Sequence, residues 1–128
     1  MRIEHIAIWT RDLEKIRDFY QTYFNMKCSA MYENSRKGFT SYFLSFGTGT
    51  RVEIMKRKDI SEGVGEKGLV YGLTHIAISL GDKEEVDKLT DRLRSDGVKV
   101  LKEPGTTGDG YYESVILDPE GNHIEITE

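Results

Sequence analysis

Two imidazoles and two carboxylates recur in this chain at matching places. The segment Ile3-Glu4-His5-Ile6-Ala7-Ile8 is echoed by Leu73-Thr74-His75-Ile76-Ala77-Ile78, so the tetrapeptide His-Ile-Ala-Ile occurs at 5–8 and again at 75–78. Further on, Glu53 stands after Gly49 at the same spacing at which Glu125 stands after Gly121. Side chains alternate across a strand, which sets His5 opposite Ile6 and Ile8 and His75 opposite Ile76 and Ile78. The same alternation turns Glu53 away from Val52 and Ile54, and Glu125 away from Ile124 and Ile126. All four polar side chains are therefore expected on the face that the helices do not cover. Packing alone does not favour carboxylates held there without partners. Neutral imidazole and carboxylate make a borderline N/O donor set suited to Zn, Ni, Co, Mn or Fe(II), with positions left for water or substrate oxygens. The duplication thus predicts one divalent metal per site, held by His5, Glu53, His75 and Glu125.

The elements that must position these groups repeat as well. Asp12 to Tyr20 and Asp82 to Leu89 both read as capped helices, with Leu13, Ile16 and Phe19/Tyr20, and then Val86, Leu89 and Leu93, at helical spacing. Asp82 with Glu85 forms a capping box, and Gly97 suits the residue just past the second helix. Three strand-like runs follow each helix: Lys27 to Glu33, Ser41 to Phe46 and Arg51 to Lys56, then Val98 to Glu103, Tyr112 to Leu117 and His123 to Thr127. Each half is β-α-β-β-β, an α+β pattern. The reading is a single domain over 1–128, with module 1 at residues 1–57, a linker at 58–72 carrying Gly63, Gly65, Gly68 and Gly72, and module 2 at 73–128. Two curved units joined about a local two-fold would make the helix-free face a shared cleft. The linker permits pairing within one chain or exchange between two, and the open sheet edges predict a homodimer.

Composition narrows the partners. The chain has 128 residues, 38% of them hydrophobic and 31% charged, enough for a packed core and unlike a disordered segment. A formal charge of -4 lacks the basic surplus that holds polyanions, which argues against nucleic acid. One cysteine, Cys28, cannot form an internal disulfide, so a reducing cytoplasm is the expected compartment and Cys28 reads as a small buried hydrophobe. The amino terminus enters an alternating strand pattern directly and no long apolar run follows, which predicts neither a signal peptide nor a membrane span.

The paired βαβββ modules, the His-opened first strand of each, Asp12-Leu13-Glu14 with Phe19-Tyr20, and the closing Asp118-Pro119-Glu120-Gly121-Asn122-His123-Ile124-Glu125 resemble the vicinal oxygen chelate superfamily, the glyoxalase/bleomycin resistance/dioxygenase fold. Within it the four-residue pattern is most similar to glyoxalase I, lactoylglutathione lyase, and covers essentially the whole chain. That resemblance implies a carbon–sulfur lyase in which a metal holds both oxygens of a hemithioacetal, made from an α-ketoaldehyde and a thiol, as an enediolate. His5, Glu53, His75 and Glu125 match the ligand positions, Glu125 that of the base, and Glu53 that of its proton-transfer partner or of a ligand alone. The bacterial enzymes carry an Arg on the first strand and an Asn after the first Glu where this chain has Trp9 and Arg57. A small-molecule thiol adduct other than that of glutathione is the substrate this departure implies.

Other readings remain open on these residues. Thiol transferases and extradiol dioxygenases of the same scaffold need only two His and one Glu, and bleomycin-resistance-like proteins sequester an aromatic drug without metal. Trp9 shares the His5 face and either walls an apolar substrate or packs in the core. Arg57, in the run Lys56-Arg57-Lys58, either holds an anionic group or is simply solvated. Tyr71, Tyr111 and Tyr112 are candidate substrate contacts, and His123 shares the Glu125 face. The stretch Gly105 to Gly110 reads as a mobile lid or as an ordinary hairpin loop.

Overall fold

Apolar spacing and capping account for the two helices. In the computed structural model, which describes every residue except 62, 66 and 70, Asp12 accepts the Lys15 N–H at 3.0 Å and opens helix α1 (Leu13–Phe24). Asp82 accepts the Glu85 N–H at 2.9 Å and opens α2 (Lys83–Ser95). Asn25 ends α1 in the left-handed conformation, and Gly97, at φ +83°, lets the Val98 N–H return to the Leu93 carbonyl past the end of α2.

The chain divides into two compact units, Met1–Gly63 and Val64–Glu128, and the division falls inside the glycine-bearing stretch 58–72. In the first, strands β1 (His5–Trp9), β2 (Lys27–Cys28), β3 (Tyr32–Asn34), β4 (Phe39–Ser45) and β5 (Arg51–Arg57) form one sheet of order β1-β5-β4-β2, with β3 also on β4. β1 runs parallel to β5: α1 crosses from β1 to β2 on the far side of the sheet, and the antiparallel β4 returns the chain to β5 beside β1. Leu13, Ile16, Phe19, Tyr20 and Phe24 of α1 bury against Tyr42, Leu44, Val52 and Ile54 of the sheet. In the second unit, β6 (His75–Ser79), β7 (Val100–Thr106), β8 (Tyr112–Leu117) and β9 (His123–Thr127) repeat this plan in the order β6-β9-β8-β7. Its core is Val86 and Leu93 of α2 with Ile78, Ile116, Ile124 and Ile126. Both units are α+β modules of the β-α-β-β-β kind.

Two strands differ from the sequence reading. The run Lys27 to Glu33 is split into β2 and β3, and its register against β4 slips by one residue between Cys28–Leu44 and Tyr32–Ser41. Ser29 explains the break: its Oγ accepts the Phe43 N–H at 3.0 Å, taking a place that a backbone carbonyl holds in a regular ladder. The run starting at Val98 becomes a strand only at Val100, because the Val98 N–H is spent on closing α2, and it continues to Thr106 through two register shifts. Of the stretch Gly105 to Gly110, Gly105 and Thr106 end β7 and the rest is a tight hairpin connection, with Thr107 N–H to the Tyr111 carbonyl at 2.8 Å and Gly110 N–H to the Thr107 carbonyl at 3.0 Å. No helix among the described residues is long and apolar enough to cross a membrane.

Candidate functional site

In each unit one histidine and one glutamate meet on the sheet face away from the helix. On β5, Val52 and Ile54 are buried under α1 while Glu53 faces the other way, its side chain 15% exposed. Ala7 is its lateral partner on β1, and the small Ala side chain leaves room for His5, one pair along, to lean over. His5 Nε2 then stands 3.8 Å from Glu53 Oε2. The second unit repeats the device: Ala77 is opposite Glu125, and His75 Nε2 stands 3.6 Å from Glu125 Oε2. The alanine of His-Ile-Ala-Ile is thus as much a part of the arrangement as the histidine.

Both separations are too long for a hydrogen bond. They are within reach of two donors bound to one ion, since bonds of about 2.0–2.2 Å to nitrogen and oxygen allow two ligands to stand up to about 4 Å apart. By donor chemistry and spacing, each pair fits a divalent metal. Among the described residues no group of three or more His, Cys, Asp or Glu is placed to hold an ion; each unit offers one pair.

The surroundings of the two pairs differ. The His5 ring is met at its edge by Phe43, with centroids 5.4 Å apart, and its Nδ1 lies 2.5 Å from Glu4 Oε2. Glu4 also pairs with Arg51, whose guanidinium covers the Phe43 ring at 4.0 Å, and the hydrogen bond from His5 leads in holding the Glu4 carboxyl below the usual carboxylate range. Around Glu125 the neighbours are Glu113, with a side chain 13% exposed, and Lys102, whose Nζ is 2.7 Å from Glu113 Oε1. Burial raises the Glu125 pKa, the charge of Glu113 and a hydrogen bond with it raise it further, and His75 and Lys102 act in the opposite sense. Sequence reasoning did not single out Glu4, Glu113 or Lys102. Glu113 had a signal, because it alternates onto the Glu125 face. Its counterpart by repeat position on β4 is Ser41, 1% exposed, whose Oγ has no hydrogen-bond partner among the described residues.

The remaining candidates separate. Trp9 and Arg57 come together on the His5 face: Arg57 lies over the indole at 5.2 Å while pairing with Asp59 at 2.5 Å, and Phe39 meets Trp9 edge-on at 6.1 Å. Tyr112 turns to the other side of its sheet, where its hydroxyl donates to Asp87 of α2 at 2.7 Å, so it does not stand with Glu125. Tyr111 is exposed in the hairpin turn and Tyr71 is fully exposed ahead of β6. His123 packs against the backbone of Gly68: a Cβ there would lie 2.5 Å from its Cε1. Lys67 fixes the same segment by donating to the Glu120 carbonyl and to Asn122 Oδ1, both at 3.0 Å. Asp118 is structural, accepting the Glu120 and Asn122 N–H groups at 2.9 Å and so setting the turn into β9. Cys28 is half-buried rather than fully buried, and burial raises its pKa, the opposite of an activated thiol.

The model of the Glyoxalase/Bleomycin resistance protein/Dioxygenase superfamily matches residues 2–126. The chain belongs to that superfamily. Among its relatives in this glyoxalase superfamily, a lactoylglutathione lyase of Arabidopsis thaliana is 29% identical over 128 residues, covering 99% of this chain. The chain spans only 44% of that relative, less than half its length. A probable lactoylglutathione lyase of Vibrio cholerae is 30% identical over 131 residues, covering 99% of this chain and 90% of the relative. Among solved structures, the trypanothione-dependent glyoxalase I of Leishmania major superposes with a TM-score of 0.80 at 25% identity, over all of this chain and 86% of the other. The two βαβββ modules are the glyoxalase-superfamily fold.

Proposed function

We propose that this chain is a metal-dependent lyase of the glyoxalase I type, which shifts a proton between adjacent carbons of a hemithioacetal or a related α-hydroxycarbonyl compound. The repeated His–Glu pair, 3.8 Å and 3.6 Å apart in the two units, carries this reading. Thiol transferases and dioxygenases have no need of Glu53 as a ligand, and here it stands with His5 as Glu125 stands with His75. His5, Glu53, His75 and Glu125 would hold one divalent ion, which when bound supplies Lewis-acid stabilisation of the negative charge that develops on the substrate oxygens.

The protein groups handle the proton. Glu125 takes it from the carbon that bears sulfur, and the electron pair of that C–H bond moves toward the neighbouring carbonyl carbon. That pair closes a double bond between the two carbons while the carbonyl pair moves onto its oxygen. Return of the abstracted proton to the second carbon, with the hydroxyl proton on the first carbon passing to the oxygen of the second by way of Glu53, leaves a 2-hydroxy thioester isomeric with the hemithioacetal and both carboxylates as they began. Atoms and electrons balance without an external oxidant.

The substrate's carrier group is set by the His5 face. Trp9, Phe39 and Tyr32 form an edge-to-face aromatic row there, Arg57 lies on Trp9, and Arg57 is already paired with Asp59. This is an apolar shelf for a thiol adduct different from that of glutathione, and the Leishmania relative shows that another thiol serves a member of the superfamily. The test is isomerisation of methylglyoxal hemithioacetals by protein loaded with Ni2+, Zn2+ or Co2+, alongside metal binding. Wild type should bind about one ion per site, His5→Ala and His75→Ala should each lose it, and a non-glutathione adduct should turn over faster than the glutathione adduct. Unchanged metal affinity in both variants, or tight metal-free binding of an aromatic drug with no turnover of any adduct, would overturn the proposal.

A further inference from the structure

The residue before each histidine reaches the ring nitrogen that faces away from the glutamate. Glu4 Oε2 lies 2.5 Å from His5 Nδ1, and at the equivalent place of the repeat Thr74 Oγ1 lies 3.0 Å from His75 Nδ1. The two contacts are chemically unequal. An ionised carboxylate only accepts, so Glu4 requires the proton of the neutral His5 ring to sit on Nδ1 and leaves the lone pair on Nε2, the atom directed at Glu53. A hydroxyl both donates and accepts, so Thr74 steadies the His75 ring without choosing its tautomer.

Glu4 is itself fixed. Its other oxygen pairs with Arg51, the Arg51 N–H donates to the Glu4 carbonyl at 3.0 Å, and the Arg51 guanidinium rests on Phe43, the ring that meets His5 edge-on. Carboxylate, guanidinium, phenyl and imidazole close into a ring of contacts around His5. His75 meets the Thr74 hydroxyl at Nδ1 and faces Glu125 with Nε2.

We infer that Glu4 is a positioning residue, which selects the Nδ1–H tautomer of His5 and presents Nε2 as a donor, and that Thr74 does so only weakly for His75. The inference rests on the reading of His5 and His75 as metal ligands, but its first consequence is a property of the metal-free protein. In 15N-resolved NMR of metal-free wild type at a pH where the imidazoles are neutral, His5 should show one tautomer with a pyridine-type Nε2, and His75 a mixture. Glu4→Ala should turn His5 into a mixture as well, while Glu4→Gln, whose amide oxygen still accepts from Nδ1–H, should keep most of the selection. Titration with Co2+ should then show roughly tenfold or greater weakening in Glu4→Ala, recovery of most of that loss in Glu4→Gln, and a smaller change in Thr74→Val. A mixed His5 tautomer in wild type, or a Glu4→Ala spectrum unchanged from wild type, would overturn the inference. Failure of the ligand reading looks different: His5→Ala would leave Co2+ affinity unchanged whatever the tautomer spectra show.

Discussion

At the scale of single residues, the two glutamates are equivalent by repeat and unequal by surroundings. Glu125 has a second carboxylate, Glu113, and an ammonium, Lys102, beside it, whereas the residue at the Glu113 position of the first unit is Ser41. A carboxylate poised to take a proton needs such a neighbouring carboxylate, which adds to burial in raising its pKa, more than a ligand does. Glu125→Gln is therefore expected to lower kcat by about 10² or more while keeping a metal-binding oxygen, and Glu53→Gln to lower it less. Steady-state kinetics on metal-loaded protein, with metal content measured in parallel, checks this, and equal losses in the two variants would make the roles symmetric. The histidines and glutamates were legible in the sequence because the repeat doubles them and strand alternation puts them on one face. Glu4, Glu113 and Lys102 were not, since their places come from contacts that alternation does not encode. Glu4 turns back to its own neighbour at the mouth of β1, Glu113 meets Glu125 across a diagonal, and Lys102 arrives only through the shifted register of β7.

At the scale of elements, the helix starts followed from Asp12 and Asp82, and the second helix end from Gly97. The sheet register was legible only where the pattern was regular. Ser29 and Val98 interrupted it for a shared reason: a hydrogen-bonding group was diverted from the ladder, in one case by a serine hydroxyl and in the other by the closing turn of α2. Polar groups inside the second unit matter in the same way. Thr90 is fully buried on α2, and its hydroxyl bonds both the Val86 carbonyl and Ser114 Oγ at 2.7 Å, which ties the helix to β8. Thr90→Val keeps the shape and removes the partner of a buried hydroxyl, so it should cost about 1–3 kcal/mol in denaturant unfolding. Thr90→Val with Ser114→Ala should recover part of that loss, because no hydroxyl is then left unpaired. Strict additivity of the two single substitutions would mean that the helix and strand are held by apolar packing alone.

At the scale of the whole molecule, each unit carries half of the proposed donor set, His5 with Glu53 and His75 with Glu125. Strands β1 and β6, which bear the histidines, end the strand order of their sheets. An open strand edge is a template for pairing, and a symmetric pair of chains is the commonest way to close one. A mass near twice that of the chain is expected from light scattering on the purified protein, and a monomer at assay concentration would refute it. The same dimer allows a genetic test of where a site is completed. His5→Ala and His75→Ala chains are each expected to be inactive. If His5 and Glu53 of one copy join His75 and Glu125 of its partner, the mixed dimer contains one site with both defects and one with neither, so mixing followed by subunit exchange should restore up to half of the wild-type activity per mixed dimer. If each chain completes its own site, every site in the mixture carries one defect and activity stays absent. Recovery is the outcome expected if the halves are exchanged, and the measurement is activity against time after mixing with exchange followed by a mass-tagged copy. Exchange without recovery would place both halves of the site in one chain.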